Sequence, residues 1–247
     1  MADALFEDRY LASLYDRLCV DRGDENFYLQ LMHSAPSVLD VGCGTGTLLN
    51  RARAAGHRGR LCGLDPADGM LEQARRHPDI EWFQGTLPEA GFEREFDLIV
   101  MTGHAFQVLL TDDDVREFLG AAERALATGG RLAFETRNPL VRAWEGWTPD
   151  DVTQIRDDTG ATVRVWHEVE SVEGELVTFS ETYASDTFDQ PLVSRSTLRF
   201  LPAESLDALL GGAGLAVDER YGDWDRSLFT PTSREIITVA RSMPSAR

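Results

Sequence analysis

The chain has 247 residues, 43% of them hydrophobic, which suits one α/β domain with an insertion or two small domains. Its formal net charge of -18 at pH 7 argues against nucleic acid as a partner, because that binding depends on Lys and Arg neutralising phosphates. There is no apolar run of the ~20 residues that a membrane span needs, no secretion signal at the N-terminus and no CxxC pair among Cys19, Cys43 and Cys62, so we expect a cytoplasmic protein without a metal site.

The first part of the chain carries apolar residues at helical spacing. We expect residues 1–35 to form a helical cap, which Pro36 ends. The two apolar stripes comprise Leu5, Leu11, Leu14, Tyr15 and Leu18, and then Phe27, Tyr28, Leu31 and Met32.

From Pro36 onward, short apolar runs alternate with helical segments. The runs SVLDV, RLCGLD, IEWFQG, FDLIVM and GRLAFE are typical of strands, and TLLNRARAA, DGMLEQARR and DDVREFLGAAERALATGG lie between them with helical periodicity. Continuous apolar strands separated by helices predict a parallel sheet covered on both faces.

The composition and the periodicity of the sequence change after Pro139. A stretch rich in Val, Thr and aromatic residues alternates with period two, which predicts an antiparallel meander of three or four strands over residues 144–200. The helix AESLDALLGGAG, ending at Gly212 or Gly214, and the strands LAVDERYG and EIITVARS follow. We therefore expect residues 36–143 and 201–243 to form the α/β core into which the meander is inserted.

The stretch VLDVGCGTG resembles a nucleotide-binding loop but departs from the dinucleotide pattern GxGxxG. Its third glycine, Gly46, comes one residue early, and Asp40 just before the loop would repel a pyrophosphate. A cationic ligand without phosphate fits better, and S-adenosylmethionine (SAM) is such a nucleoside. Asp65, at the end of the second strand, is placed to accept both ribose hydroxyls.

Four motifs, VLDVGCGTG, LCGLDPADGMLEQAR, FDLIVMTGHAFQVL and LATGGRLAFETRNP, resemble those of the class I SAM-dependent methyltransferases over residues 38–139. The N-terminal helices and the meander resemble the small-molecule branch of that family. The resemblance implies a doubly wound, Rossmann-like sheet of seven strands, the last of them antiparallel, with SAM as cofactor and S-adenosylhomocysteine (SAH) as product. It also implies the following SAM-contacting residues: Asp40, Gly42, Cys43, Gly44, Gly46, Asp65, Pro66, Met70, Gly85, Thr86, Met101 and Thr102. Many members carry an acid or amide at the position of Thr86, where the backbone is the alternative contact.

His104 follows the fourth strand, at the edge where such folds bind ligands, and is the candidate general base; the alternative is a histidine that shapes the loop. His167 shares a strand face with Val165 and Val169, so it is either an acceptor anchor or a core histidine. Arg137 would meet an acceptor carboxylate or pair with Glu135 or another acid. The candidate acceptor-binding residues are Tyr15, His104, Arg137, Trp144, Trp147 and His167, and helix packing or simple burial is the alternative for Tyr15, Trp144 and Trp147.

The sequence thus predicts a methyltransferase acting on O, N or C of a small molecule, as a monomer or homodimer. A protein or RNA target is disfavoured by the acidic charge and by the absence of an Asn-Pro-Pro-Tyr or Asp-Pro-Pro-Tyr run. A non-catalytic SAM- or SAH-binding sensor or partner subunit remains the alternative, and a dehydrogenase is a more remote one.

Overall fold

The computed structural model describes residues 9–18 and 23–243. Leu5 and Cys19 lie outside the described residues. Eleven strands are described: β1 Ser37–Val41, β2 Arg60–Asp65, β3 Glu81–Gln84, β4 Phe96–Met101, β5 Leu126–Arg137, β6 Thr153–Arg156, β7 Thr162–Glu173, β8 Leu176–Ser185, β9 Leu192–Arg199, β10 Leu215–Tyr221 and β11 Glu235–Ser242. The α-helices are α1 Arg9–Leu18, α2 Glu25–His33, α3 Thr47–Ala54, α4 Asp68–Ala74, α5 Leu87–Ala90, α6 Asp112–Ala125 and α7 Ala203–Gly212.

Seven strands form one sheet in the order β10-β11-β5-β4-β1-β2-β3. The pairs of β1 with β2 and β4, of β2 with β3, and of β4 with β5 are parallel, whereas β11 runs antiparallel to both β5 and β10. The predicted doubly wound sheet with a closing antiparallel hairpin is therefore confirmed. Since β11 is antiparallel, its first residue, Glu235, lies beside Arg137 at the carboxyl edge of the parallel strands.

Two apolar clusters cover the two faces of this sheet. On one face α2, α3 and α4 pack on Val38, Leu98 and Val100. On the other face α6 and α7 pack on Leu39, Ile99 and neighbouring residues. Adjacent residues of β1 and β4 thus enter opposite clusters, which explains why those strands are apolar without alternation.

A second sheet of four antiparallel strands, in the order β6-β7-β8-β9, occupies the segment for which the meander is predicted. Its inner face meets α1, where Val163, Val165 and Tyr183 pack with Leu11 and Leu14. Helix α1 thus covers the inner face of this sheet.

The predicted end of the sixth helix is wrong by several residues. The segment Leu126–Gly130, expected to be helical, already belongs to β5 because Leu126 pairs with Phe96 of β4. Gly129 has a φ of 82°, and a Cβ on Gly130 would lie 2.7 Å from the carbonyl oxygen of Phe96, so the two glycines permit an irregular start of the strand.

Within the described ranges, no helix is long and apolar enough to cross a membrane. Among the residues that the structure describes, no group of three or more His, Cys, Asp or Glu side chains is arranged to hold a metal ion.

Candidate functional site

The glycine loop joins β1 to α3 and folds back against β2. The backbone N–H groups of Gly42 and Cys43 both donate to the carbonyl oxygen of Leu64, at 2.8 and 3.2 Å. Gly42, Gly44 and Gly46 have φ angles of 69°, 54° and 77°, so each adopts the left-handed conformation that glycine reaches without a steric cost. The backbone itself therefore forms the surface next to which a ligand would lie.

Gly46 leaves room for an aromatic ring. A Cβ on Gly46 would lie 2.3 Å from the ring of Trp82 in β3. The same ring also covers Gly63 of β2, where a Cβ would lie 2.4 Å away. The indole thus occupies the space that these two absent side chains leave.

Asp65 is fixed at the end of β2 by two backbone donors. One carboxylate oxygen accepts from the N–H of Gly44 and the other from the N–H of Ala67, both at 2.8 Å. Burial raises the pKa of Asp65, and these two hydrogen bonds oppose the rise. Because each carboxylate oxygen has further lone pairs, the group can still accept from a pair of hydroxyls. The next residue, Pro66, is exposed.

Asp40 is a buried acid with one unsatisfied oxygen. Its side chain is 1% exposed, and Oδ1 has no hydrogen-bond partner among the described residues. Burial, followed by the charges of Asp65 and Glu135, raises its pKa well above the usual value. A buried carboxylate without a partner is costly, so a ligand cation at this point would be stabilised.

The far side of the loop is covered by α1. Met70 and Ala67 are buried against Ala12 and Tyr15, and the Tyr15 ring lies 4.0 Å from the position of a Cβ on Gly44. Tyr15, one of the candidate ligand-binding residues, thus lies beside the glycine loop.

The loop after β3 is also held against Asp65. The N–H of Gly85 donates to the carbonyl oxygen of Asp65 at 3.1 Å. The Thr86 hydroxyl donates to Glu89 at 2.7 Å, in addition to the capping box that these two residues form at the start of α5. Because the hydroxyl proton is already engaged, Thr86 presents its backbone more readily than its side chain.

The segment after β4 approaches the glycine loop from the other side. Met101 is buried, Thr102 is half-buried, and a Cβ on Gly42 would lie 3.1 Å from the Cβ of Ala105. His104 directly precedes Ala105, so it also lies close to the glycine loop. Its φ is 62°, a conformation that costs a non-glycine residue energy and marks a constrained position.

Two glutamates hold His104. Its backbone N–H donates to Glu135 Oε1 at 2.7 Å, and its Nε2 lies 2.8 Å from Glu235 Oε2. Glu135 is fully buried and also accepts from the Tyr28 hydroxyl. Burial raises the pKa of Glu135, and it raises the pKa of Glu235 to about 7.

Sequence reasoning missed Glu235. It is the first residue of EIITVARS, and only the antiparallel register of β11 brings it to the ligand-binding edge. In the sequence, Glu235 is marked only as a polar residue at the start of a strand. Many strands begin with a polar residue, so this feature does not single it out.

Contacts continue from this edge to the inserted sheet. Arg137 Nη1 donates to Gln107 Oε1 at 2.9 Å, and its guanidinium lies 5.4 Å from the ring centroid of Trp147. The rings of Trp147 and His167 are 6.2 Å apart, and His167 Nε2 lies 3.3 Å from Glu181 Oε1.

Both predicted tryptophans stand at this join. Trp144 meets Phe200 edge to face at 4.5 Å, and Trp147 lies 4.7 Å from Phe179 of β8. A cavity of about 740 Å³ is lined by the two tryptophans together with Val169 of β7. The structure thus brings Arg137, Trp144, Trp147 and His167, four of the candidate acceptor-binding residues, together at the join between the two sheets.

Comparisons with known proteins agree with this geometry. A family described as a methyltransferase domain matches residues 38–130. The dTDP-4-amino-2,3,4,6-tetradeoxy-D-glucose N,N-dimethyltransferase of Saccharopolyspora spinosa is 30% identical over 203 residues, which are 78% of this chain and 72% of that protein. The malonyl-[acyl-carrier protein] O-methyltransferase of Hahella chejuensis is 33% identical over 117 residues, and that match spans only 41% of its length.

A solved structure shares the fold over almost the whole chain. The CcbJ methyltransferase of Streptomyces caelestis has a TM-score of 0.77 and 20% identity, covering 97% of this chain and 98% of that one. The glycine loop, the carboxylates of Asp40 and Asp65 and these matches lead to one conclusion. The chain belongs to the class I SAM-dependent methyltransferases.

Proposed function

We propose that this chain transfers a methyl group from SAM to the O, N or C atom of a small-molecule acceptor. The observation that carries the proposal is Asp40, a buried acid with an unpartnered oxygen that a ligand cation would stabilise, one strand away from Asp65. When bound, SAM supplies a methyl carbon on a sulfonium centre, which is open to in-line displacement by a nucleophile.

The chain's own residues would bind and orient the two ligands. Asp40 would hold the ammonium group and Asp65 the ribose, while the backbone of Gly85 and Thr86 would face the adenine. Since the carbon is already activated, proximity and orientation supply most of the acceleration. The residues proposed to contact SAM are Asp40, Gly42, Cys43, Gly44, Gly46, Asp65, Pro66, Met70, Gly85, Thr86, Met101 and Thr102, with Tyr15 added from α1.

The acceptor would lie between His104 and the inserted sheet. In this proposal residues 144–200 form the acceptor region, residues 36–143 and 201–243 the SAM-binding domain, and residues 1–35 the helical cap. The wall that runs from Arg137 through Trp147 to His167 supports this division, because it joins the sheet edge to the insertion.

We also propose a cytoplasmic location, a monomer or homodimer, and no nucleic-acid partner. Two observations support the location and the absence of a nucleic-acid partner. Cys43 and Cys62 are free and buried, as expected in a reducing compartment, and the charge of -18 repels phosphate backbones.

The substitution Asp65→Ala tests the SAM site. It removes the acceptor for ribose and for two loop N–H groups, so SAH binding should weaken roughly 10- to 100-fold, the equivalent of about 1.5–3 kcal/mol for hydrogen bonds to a charged group. Isothermal calorimetry with SAH measures this directly.

Asp68→Ala is the matched control, because Asp68 lies three residues away, is exposed and pairs with Arg75 at 3.1 Å. It should bind SAH like the wild type. If Asp65→Ala does so too, Asp65 does not hold the ribose.

Turnover separates the enzyme from the non-catalytic alternative. We expect wild-type protein with SAM and pooled small metabolites to release SAH, and Asp65→Ala to release far less. Tight SAH binding without product from any pool would favour a sensor or partner subunit.

A further inference from the structure

We propose that Glu235 is the acceptor-facing carboxylate of this site, that it binds an amine acceptor in its ammonium form and takes up one of its protons, and that His104 positions it. The inference rests on the proposed function and deepens it in two ways: it names a catalytic residue, and it narrows the acceptor to a nitrogen nucleophile.

The position of Glu235 is fixed by three elements. The start of β11 sets it beside Arg137 at the carboxyl edge of the sheet. Its Oε2 lies 2.8 Å from Nε2 of His104, and the neighbour of His104, Ala105, nearly touches Gly42 of the glycine loop. The carboxylate thus contacts the segment that approaches the glycine loop, and it neighbours Arg137, which reaches Trp147.

The orientation of His104 makes it the partner rather than the base. Its backbone is locked at a positive φ by Glu135, and its Nε2 is directed at Glu235. The contact with His104 uses Oε2 of Glu235, and the proposal assigns Oε1 to the acceptor. The two side chains are 14% and 16% exposed, so they are shielded from bulk water yet open on one side. This reverses the roles expected from the sequence, in which His104 is the base.

The charges around the site favour a cationic acceptor. Asp40, Glu135 and Glu235 share the sheet edge, and Glu181 faces His167 on the inserted sheet. The guanidinium of Arg137 is directed at Gln107 and Trp147. When Glu235 is ionised, its carboxylate attracts an ammonium group and repels a carboxylate or phosphate.

The protonation behaviour of Glu235 is consistent with this role. Burial is the largest cause of the rise of its pKa to about 7; Asp223 adds to the rise, and Arg137 and Arg234 oppose it. His104 is the fourth ionisable group that faces it. A base whose pKa lies near neutrality is suited to proton transfer at physiological pH.

The proton balance is simple. An N–H bond of the acceptor ammonium breaks, its electron pair remains on nitrogen as a lone pair, and the proton forms an O–H bond with Glu235 Oε1. That lone pair would form the new N–C bond as the methyl C–S bond breaks, and the C–S electron pair would leave on the sulfur of SAH. Glu235 then returns the proton to solvent, so no additional reactant is needed.

The test uses SAH-loaded protein and two probes of equal shape, trans-4-aminocyclohexanol and trans-1,4-cyclohexanediol. The first is an ammonium ion over the whole working pH range and the second is neutral. We expect the wild type at pH 8 to bind the amine at least tenfold more tightly than the diol in an NMR titration. In Glu235→Gln that preference should vanish, whereas Glu235→Asp, which keeps the charge, should retain part of it.

Glu117→Gln is the matched control, since Glu117 is exposed on α6, and it should behave like the wild type. The amine affinity of the wild type should fall between pH 8 and pH 6, as Glu235 is protonated. In His104→Phe, which removes the donor but keeps a ring, the midpoint of that fall should move to higher pH. A merely structural histidine would leave the midpoint in place.

Equal affinity for the two probes in the wild type, or an amine preference that survives in Glu235→Gln, overturns the inference. If Glu235→Gln fails to fold, the wild-type comparison and its pH dependence still decide. Failure of the proposed function is a separate result, because the SAH affinity of each protein is measured before any probe is added.

Discussion

Gly46 shows why one position of the site has no room for a side chain. Its φ of 77° turns the chain into α3, and the Trp82 ring lies where its side chain would be. Two independent requirements, a left-handed backbone and a close aromatic contact, therefore meet at one residue. The motif predicts the glycine, but the reason for it lies in a strand 36 residues further along the chain.

Substituting Gly46 separates the two requirements when Gly56 serves as the control. Gly56 also has a positive φ, 94°, but nothing lies within 4 Å of a Cβ built there. Gly56→Ala should cost roughly 1–2 kcal/mol from the backbone conformation alone. Gly46→Ala should cost about 1–3 kcal/mol more, because the indole must move. Urea unfolding with tryptophan fluorescence measures both, and equal losses would show that the Trp82 contact is not tight.

A single site residue can be predicted from the sequence when it lies in or next to a recognisable motif, and not when its partner lies far away along the chain. Asp40, Gly42 and Asp65 are recognisable because each stands at a fixed position next to an apolar strand. Glu235 is not, because its partner His104 lies 131 residues away and only an antiparallel register brings them together.

Among the elements, α1 connects the two halves of the site. Asp16 accepts hydrogen bonds from Thr45 at 2.5 Å and Thr47 at 3.1 Å, so it holds the glycine loop. On the same helix, Tyr10 donates to Asp157 at 3.0 Å, in the turn between β6 and β7. The sequence predicts the helix from its apolar stripe, but not this docking, which depends on polar residues outside the stripe.

The connection predicts an effect of α1 on ligand affinity. Asp16→Ala removes the acceptor of two loop hydroxyls, and we expect SAH binding to weaken about three- to tenfold, or about 1 kcal/mol for a partly exposed pair of hydrogen bonds. Arg9→Ala is the control on the same helix. Arg9 pairs with Glu72 at 2.9 Å, but the two side chains are 74% and 47% exposed, so the pair contributes little. Calorimetry that finds the two variants alike would contradict a role of Asp16 in holding the loop.

At the scale of the whole molecule, the net negative charge lowers the stability of the folded state. The chain has 42 acidic and 24 basic residues and an isoelectric point near 4.6. Ion pairs such as Arg116 with Asp112 and Arg60 with Glu81 neutralise some carboxylates. With 18 more acids than bases, the remainder repel one another at neutral pH, and they do so more strongly in the compact state.

This balance predicts how salt acts on stability. Raising NaCl shortens the Debye length from about 30 Å at 0.01 M to about 3 Å at 1 M, which screens repulsion over long distances more than contacts within an ion pair. At pH 8 we therefore expect the melting temperature to rise by about 3–6 °C, the equivalent of about 1–2 kcal/mol in a domain of this size. Near pH 5, where the net charge is close to zero, the rise should disappear. Differential scanning calorimetry at both pH values is the measurement. A rise of equal size at pH 5 would mean that the salt acts on apolar hydration rather than on charge, because that effect does not depend on the ionisation of carboxylates.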